Sequence, residues 1–429
     1  MSDWQQGTFS DLQTYAPHKV AVPSQGSRDS MSNVWPQVAL HELVTQRRDA
    51  VKVESGIEYR LLGVRWYGEG AFHRETVTRE TSKAKTVYRV SPGQFIYNRL
   101  FAGKGSFGLI LPELADAFVS NEFPLFDTDA EQLSAQYLNL YFQQRQLWNY
   151  VETVSTGTTA SRNRWKESQF LAHRIPLPPL SVQERIVEII NAIDHQITAL
   201  EKEAEALHRV SMAAAEDLLS NGPVVALGTV LDEIRGGRSP QAEKRSPRAD
   251  ERGVLKVSAV TPFRFVPEES KTLLPDTSMP ASAIVRPGDV LITRANTPLK
   301  VGAVARVPSD VRAGLYLADK TLRLAPSSKL DPDFLVVAMA LKSARTHLIN
   351  SATGTSASMF NVSQDRIGET PIPLPDLDRQ REVSTAVLSI RANADAVRAE
   401  ATRLREARSG LLASLLDRTT EIQSVELEV

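Results

Sequence analysis

The residues whose types and spacing could do chemistry are basic and amide side chains set beside glycines. Arg47 and Arg48 precede the first such turn, and Arg99 and Lys104 flank Gly103 and Gly105. A Thr-Gly-Thr loop with Thr158 leads into Arg162, Asn163 and Arg164. The same kinds of residue return later as Arg235 and Arg238 around a Gly-Gly pair, then Arg294, Asn296 and Lys300, then Thr355, Ser356 and Asn361. Arginine and lysine neutralise phosphates, and arginine and asparagine can grip purine edges with two hydrogen bonds. Glycine lets backbone come close to a phosphate. Each residue alone reads more readily as solvated surface. The two Gly-Thr loops, as a matched set, favour a polyanionic partner.

Bond-making chemistry is harder to find. The glycine-rich stretch at Gly103–Gly108 has the wrong spacing for a phosphate-cradling P-loop, and no HExxH or dinucleotide fingerprint is present. There is no nucleophile elbow. Cysteine is absent, which removes disulfides, thiolate zinc sites and cysteine nucleophiles together. The seven histidines are scattered and argue against a metal site. Glu269-Ser270-Lys271 is a minimal nuclease-like triplet, but no upstream Asp on a strand accompanies it, and a solvated loop is the better reading. No metal, cofactor or catalytic residue is therefore expected.

The elements that would position the basic residues come from a duplication. Ile175–Leu180 (IPLPPL) recurs at Ile372–Leu377 (IPLPDL), and Thr156–Ser161 recurs at Thr353–Ser358, both with a shift of 197. Gln183 maps onto Gln380 by the same shift. Each copy carries a Pro-Gly turn signal, Pro92-Gly93 and Pro287-Gly288, just before a strand-like run. The runs are Tyr59–Val64, Phe95–Tyr97 and Phe107–Ile110, then Val254–Val257, Asp289–Ile292 and Val301–Ala305. Helical stretches follow near Ala130–Tyr150 and Pro332–Ile349. Each copy thus reads as a small α+β domain.

After each IPLP run the periodicity becomes that of a heptad seam. Ile186, Ile190, Ile193, Ile197, Leu200, Ala204, Leu207, Ser211, Ala214 and Leu218 alternate steps of four and three. Val383, Val387, Ile390, Ala394, Val397, Ala401, Leu404, Arg408, Leu411 and Leu415 repeat the steps. Two helices of ~38 residues, each ~57 Å long, are expected to pair antiparallel within the chain. Arg408 at a seam position must reach water or an acid such as Glu203 or Glu205.

Composition supports these readings. With 429 residues, 42% apolar and 24% charged, the chain is ordinary globular material for two or three domains. No run is long and apolar enough for a membrane span, and the N-terminus has no signal-peptide character. A cytoplasmic setting is expected. The net charge of −1 hides basic blocks, with 20 Lys/Arg against 15 Asp/Glu in residues 224–372.

A Gly-Thr loop, an IPLP run and a heptad helix, each following a mixed domain and all of it repeated, resembles the specificity subunit of type I restriction–modification systems. The marks are WPQVALHELV at Trp35–Val44, VVALGTVLDEIRGG at Val224–Gly237, and the repeated loop–IPLP–helix passage. The resemblance implies an α+β fold: two tandem α/β target recognition domains, each followed by a long helix, the two helices forming an antiparallel coiled coil. It implies recognition domains at 34–178 and 222–375, with helices at 179–221 and 376–418. The polar extension at 1–33 and the acidic tail at 419–429 depart from the family's pattern. Each domain would read half of a split site in double-stranded DNA, with the coiled coil as ruler. Two methyltransferase subunits would bring S-adenosylmethionine, and restriction/translocase subunits would join them. A related methyltransferase-based phage-defence system, and a coiled-coil scaffold without DNA, remain the alternatives.

Overall fold

The two Pro-Gly turns form as their residues dictate. Gly93 and Gly288 take φ of +85° and +82°, the left-handed region where a side chain is strained. Central strands follow at Phe95–Tyr97 and Val290–Thr293. The computed structural model describes residues 35–157, 163–356 and 359–418. The chain divides into two units, one of Met1–Ile190 with Arg408–Val429, the other of Asn191–Ala407.

In the first unit a four-stranded sheet has the order Val44–Arg47, Leu125–Thr128, Phe95–Tyr97, Phe107–Leu109. A five-stranded sheet is built from Asp49–Lys52, Thr86–Arg89, Phe118–Val119, Tyr59–Val64 and Ala71–Val77. Gln37–Ala39 pairs antiparallel with Arg174–Pro176, tying the start of the unit to its IPLP run. The core is aromatic: Phe95, Tyr97, Phe107, Phe126, Phe142, Trp165 and Phe170 are all fully buried. Their rings meet at centroid distances such as 4.4 Å for Phe126–Phe170 and 4.7 Å for Phe107–Phe142, a geometry that adds to the area term. Three helices cover this sheet: α1 (Ala135–Tyr141), α2 (Arg145–Val154) and α3 (Glu167–Ala172). The sequence leads one to expect a single helix over α1 and α2. It breaks because Trp148 donates its indole N–H to the Phe142 carbonyl at 2.6 Å, and Gln144 donates to that of Tyr141 at 3.0 Å. Side chains thus take carbonyls that helix continuation would use.

The second unit repeats the frame with a different filling. Leu231–Gly236, Thr321–Pro326, Val290–Thr293 and Val304–Arg306 lie in the same strand order as the first unit's four-stranded sheet. Val224–Ala226 pairs with Pro371–Pro373 as its counterpart does. The core is aliphatic here, with Val290, Ile292, Leu322, Leu324 and Leu335 buried around Phe334. The run expected from Val301 becomes a strand only at Val304, because Val301-Gly302 forms a turn with Gly302 at φ +72°. The run at Val254 is a strand only to Leu255, and a 3₁₀ turn takes Val257–Ala259. The helices are α5 (Pro332–Ala338), α6 (Lys342–Ser351) and α7 (Gln364–Gly368).

Two long helices complete the fold, α4 (Leu180–Leu218) and α8 (Leu377–Leu416). They run antiparallel. In the second unit Glu201 pairs with Arg405, and His208 accepts from Arg398 at 3.1 Å. In the first unit Ile186 and Ile190 of α4 share a core with Leu412, Leu415 and Leu416 of α8. Ala204, Ala394 and Ala401 are completely buried in the seam, where small side chains let the helices approach closely. Near the end of α4 the seam departs from the heptad. Ala215 and Leu219 are buried instead of Ala214 and Leu218, and Leu218 is 40% exposed. There α4 faces the second unit's core, where Ala215 and Leu219 sit, and a helix of period 3.6 drifts from a 3.5 repeat. Arg408 donates to Gln143 Oε1 at 2.7 Å.

Gln183 and Gln380 explain why the repeat is strict here. Gln183 is wholly buried; its Oε1 accepts from Ser134 N at 2.9 Å, and its Nε2 donates to the carbonyls of Gln132 and Pro178, both at 2.8 Å. Gln380 accepts from Asp331 N at 2.8 Å and donates to Lys329 and Pro375 at 3.0 and 2.8 Å. Ser134 and Asp331 in turn cap α1 and α5. The first turn of each long helix is thus bolted to its own domain.

Candidate nucleic-acid interface

In the first unit the candidate cations gather around two acids. Arg99 is only 13% exposed and contacts Glu167 at 3.2 Å and Glu122 at 3.7 Å. Arg164 forks onto Glu122 at 2.9 and 3.1 Å, and this holds the Glu122 carboxyl below the usual carboxylate range. Arg48 reaches Glu167 at 3.1 Å. Arg47 pairs with Asp127 at 2.5 Å, and Lys104 with Glu152 at 2.9 Å. Backbone joins Thr156 to Arg164 in both directions, at 3.1 and 3.0 Å, so the Thr-Gly loop and the Arg164 segment stand side by side. Asn163 is half-buried beside them. Thr158 and Arg162 lie outside the described residues.

In the second unit the candidates converge on a small three-stranded sheet: Ala295–Asn296, Met359–Asn361 and Thr353–Ser356. Asn296 pairs with Phe360, and Thr353 with Asn361. Arg294 immediately precedes this sheet, Lys300 sits in the exposed turn after it, and Thr355 and Ser356 lie on its outer strand. Asn296 turns its Oδ1 back onto Thr297 N at 2.8 Å. Arg235 pairs with Glu233 at 2.6 Å. Arg238 is exposed, and among the described residues it makes no ion pair. Its segment crosses the Leu317–Lys320 loop through Gly237, where a Cβ would stand 1.9 Å from the Leu317 carbonyl oxygen. Only glycine allows that crossing. Residues that sequence reasoning missed are Glu122, Glu167 and Lys320. An alignment of the two copies position by position exposes them; a search for basic motifs does not.

The nuclease-like triplet has a plain local use. The Ser258 hydroxyl and Lys256 hold the Glu269 carboxylate below its ordinary range, the hydroxyl contributing most. Among the described residues no group of histidines and acids could hold a metal ion, and no helix is long and apolar enough to cross a membrane.

A family model described as the type I restriction modification DNA specificity domain matches residues 59–208, from the five-stranded sheet into α4. The chain is 29% identical over 164 residues to the EcoEI type I restriction enzyme specificity subunit of Escherichia coli, covering 38% of this chain and 27% of that one. It is 23% identical over 269 residues to the EcoKI specificity subunit of E. coli strain K12, covering 58% and 57%. These matches span between about a quarter and three-fifths of the curated relatives. Among solved structures, one chain is described under the structural basis of complex assembly and conformational transition of the type I R-M system. It superposes with a TM-score of 0.55 at 18% identity, covering 89% of this chain and 97% of that one. The S subunit of a type I restriction-modification system from M. genitalium gives 0.50 at 13% identity, covering 92% and 99%.

Proposed function

Because the chain belongs to the family of type I restriction–modification specificity subunits, we propose that it reads a bipartite site in double-stranded DNA, one half with each unit. The observation that carries this is a repeated frame with divergent contents. Both units share one strand order and one glutamine bolt, yet differ in core and in surface charge. Two copies that did the same job on the same sequence would have no use for that divergence. The helices α4 and α8 set the gap between half-sites. Two methyltransferase subunits dock on the chain and methylate, and restriction/translocase subunits join for cleavage, all in the cytoplasm. The chain itself does no chemistry.

The DNA contacts fall to Arg47, Lys104, Arg235, Arg238 and Lys300, exposed members of the candidate set, with Asn163, Asn296 and Asn361 as base-reading amides. Single-molecule sequencing of adenine methylation in host DNA tests the role, comparing cells with and without the gene. A split motif with a fixed gap that vanishes on deletion is the expected result. Unchanged methylation, in a strain shown to contain an active methyltransferase partner, overturns it.

A further inference from the structure

We propose that the second unit carries a binding surface for DNA backbone phosphates, formed by Arg238, Arg294, Lys300 and Lys320, and that the equivalent surface of the first unit has been neutralised and does not hold phosphate. The inference rests on the DNA-reading role proposed above and assigns the phosphate contacts of this surface to one unit.

Hydrogen bonds establish which residues are equivalent. Arg99 N donates to the Glu122 carbonyl at 3.1 Å, and Trp165 N donates to that of Arg99 at 3.0 Å. In the second unit Arg294 N donates to Lys320 at 3.0 Å, and Val362 N donates to Arg294 at 2.8 Å. Arg294 therefore stands where Arg99 stands, and Lys320 where Glu122 stands. Glu167 opens α3 and Gln364 opens α7, again 197 residues apart. Both acids of the first surface are thus replaced, one by a lysine and the other by a neutral amide, on a conserved backbone.

The consequence is a change of state for the arginine. In the first unit Arg48, Arg99 and Arg164 are all held by Glu122 and Glu167, and Arg99 is nearly buried among them. A phosphate approaching them would have to displace carboxylates already at hydrogen-bond distance. In the second unit Arg294 is half-buried and, among the described residues, no acid lies within ion-pair distance of it. The Lys320 ammonium lies 3.4 Å from the Met359 sulfur, and among the described residues it makes no ion pair. The nearby acid Asp319 is engaged with the Ser239 hydroxyl. Four cations that make no ion pair among the described residues, next to an exposed strand edge, suit a chain of phosphates better than a single carboxylate.

The test is the salt dependence of binding, because each neutralised phosphate contributes about 0.9 to the slope of log K against log salt. The full-length chain is titrated with a fluorescent duplex of random sequence across a salt series, so that only backbone contacts are read. Lys320→Gln, Arg294→Gln and Lys300→Gln are each expected to flatten the slope by about one. Lys320→Glu, which installs the first unit's acid, flattens it further, and Lys320→Arg keeps it. Arg164→Gln and Arg48→Gln in the first unit leave it unchanged. Thermal melts confirm that each variant is folded, and Lys300, in an exposed turn, is the variant least able to disturb the fold. Equal flattening by variants of both units, or none by those of the second, overturns the inference while the DNA-reading role stands. Failure of the parent chain to bind any duplex overturns both.

Discussion

At the scale of single residues, the two buried glutamines and one half-buried histidine carry consequences that surface residues do not. Gln380→Ala removes one acceptor and two donors from a closed pocket and orphans Asp331 N and the carbonyls of Lys329 and Pro375. Unsatisfied buried groups cost about 1–3 kcal/mol each before water relieves them. A loss of roughly 2–4 kcal/mol, read from the urea midpoint, is expected, and Gln183→Ala should match it. His173 accepts from the Tyr141 hydroxyl at 2.9 Å, and burial pushes its imidazole down to about 4. Its folded pKa is thus depressed below the unfolded value near 6.5. Between these values the unfolded chain binds a proton that the folded one refuses, so stability falls as pH drops from about 6.5 to about 4. The urea midpoint should decline over that window in the parent and decline less in His173→Gln.

Among the elements, the long helices were the most legible part of the chain, because a heptad is a local signal repeated along each of them. The seam positions Val383, Val387, Ala394 and Ala401 are all completely buried. The signal failed where a second surface competes, at Ala215 and Leu219, since a pattern of types does not say which neighbour a helix faces. The break between α1 and α2 was invisible for another reason: it depends on Trp148 and Gln144 bonding to carbonyls that periodicity ignores. For the candidate site, sequence located the basic residues and their loops but not their partners. Glu122 and Glu167 meet Arg99 and Arg164 only through the fold. A direct check on the seam is Ala204→Leu. The site has no exposed surface, and overpacking a filled core costs typically about 1–3 kcal/mol. A lowered melting temperature is expected, with Glu203→Leu on the exposed flank close to neutral.

For the whole molecule, the helices that fix each unit also run through both. Inserting one heptad into α4 and one into α8 preserves every seam face while adding about 10.5 Å of rise. At ~3.4 Å per base pair, the methylated motif should gain about three base pairs in its gap and keep both half-sites. Altered half-sites would count against the helices as a ruler. The ends of the described chain meet within the first unit, where the Arg418 guanidinium lies 4.4 Å above the Trp35 ring. A line that closes on itself has no privileged origin. Were the two ends spliced and the chain opened at Asn221-Gly222 instead, every strand pairing and both helix bolts would survive with the order of translation reversed. The linear order of the halves is then a matter of where the ribosome starts, and no strand pairing or helix bolt depends on it.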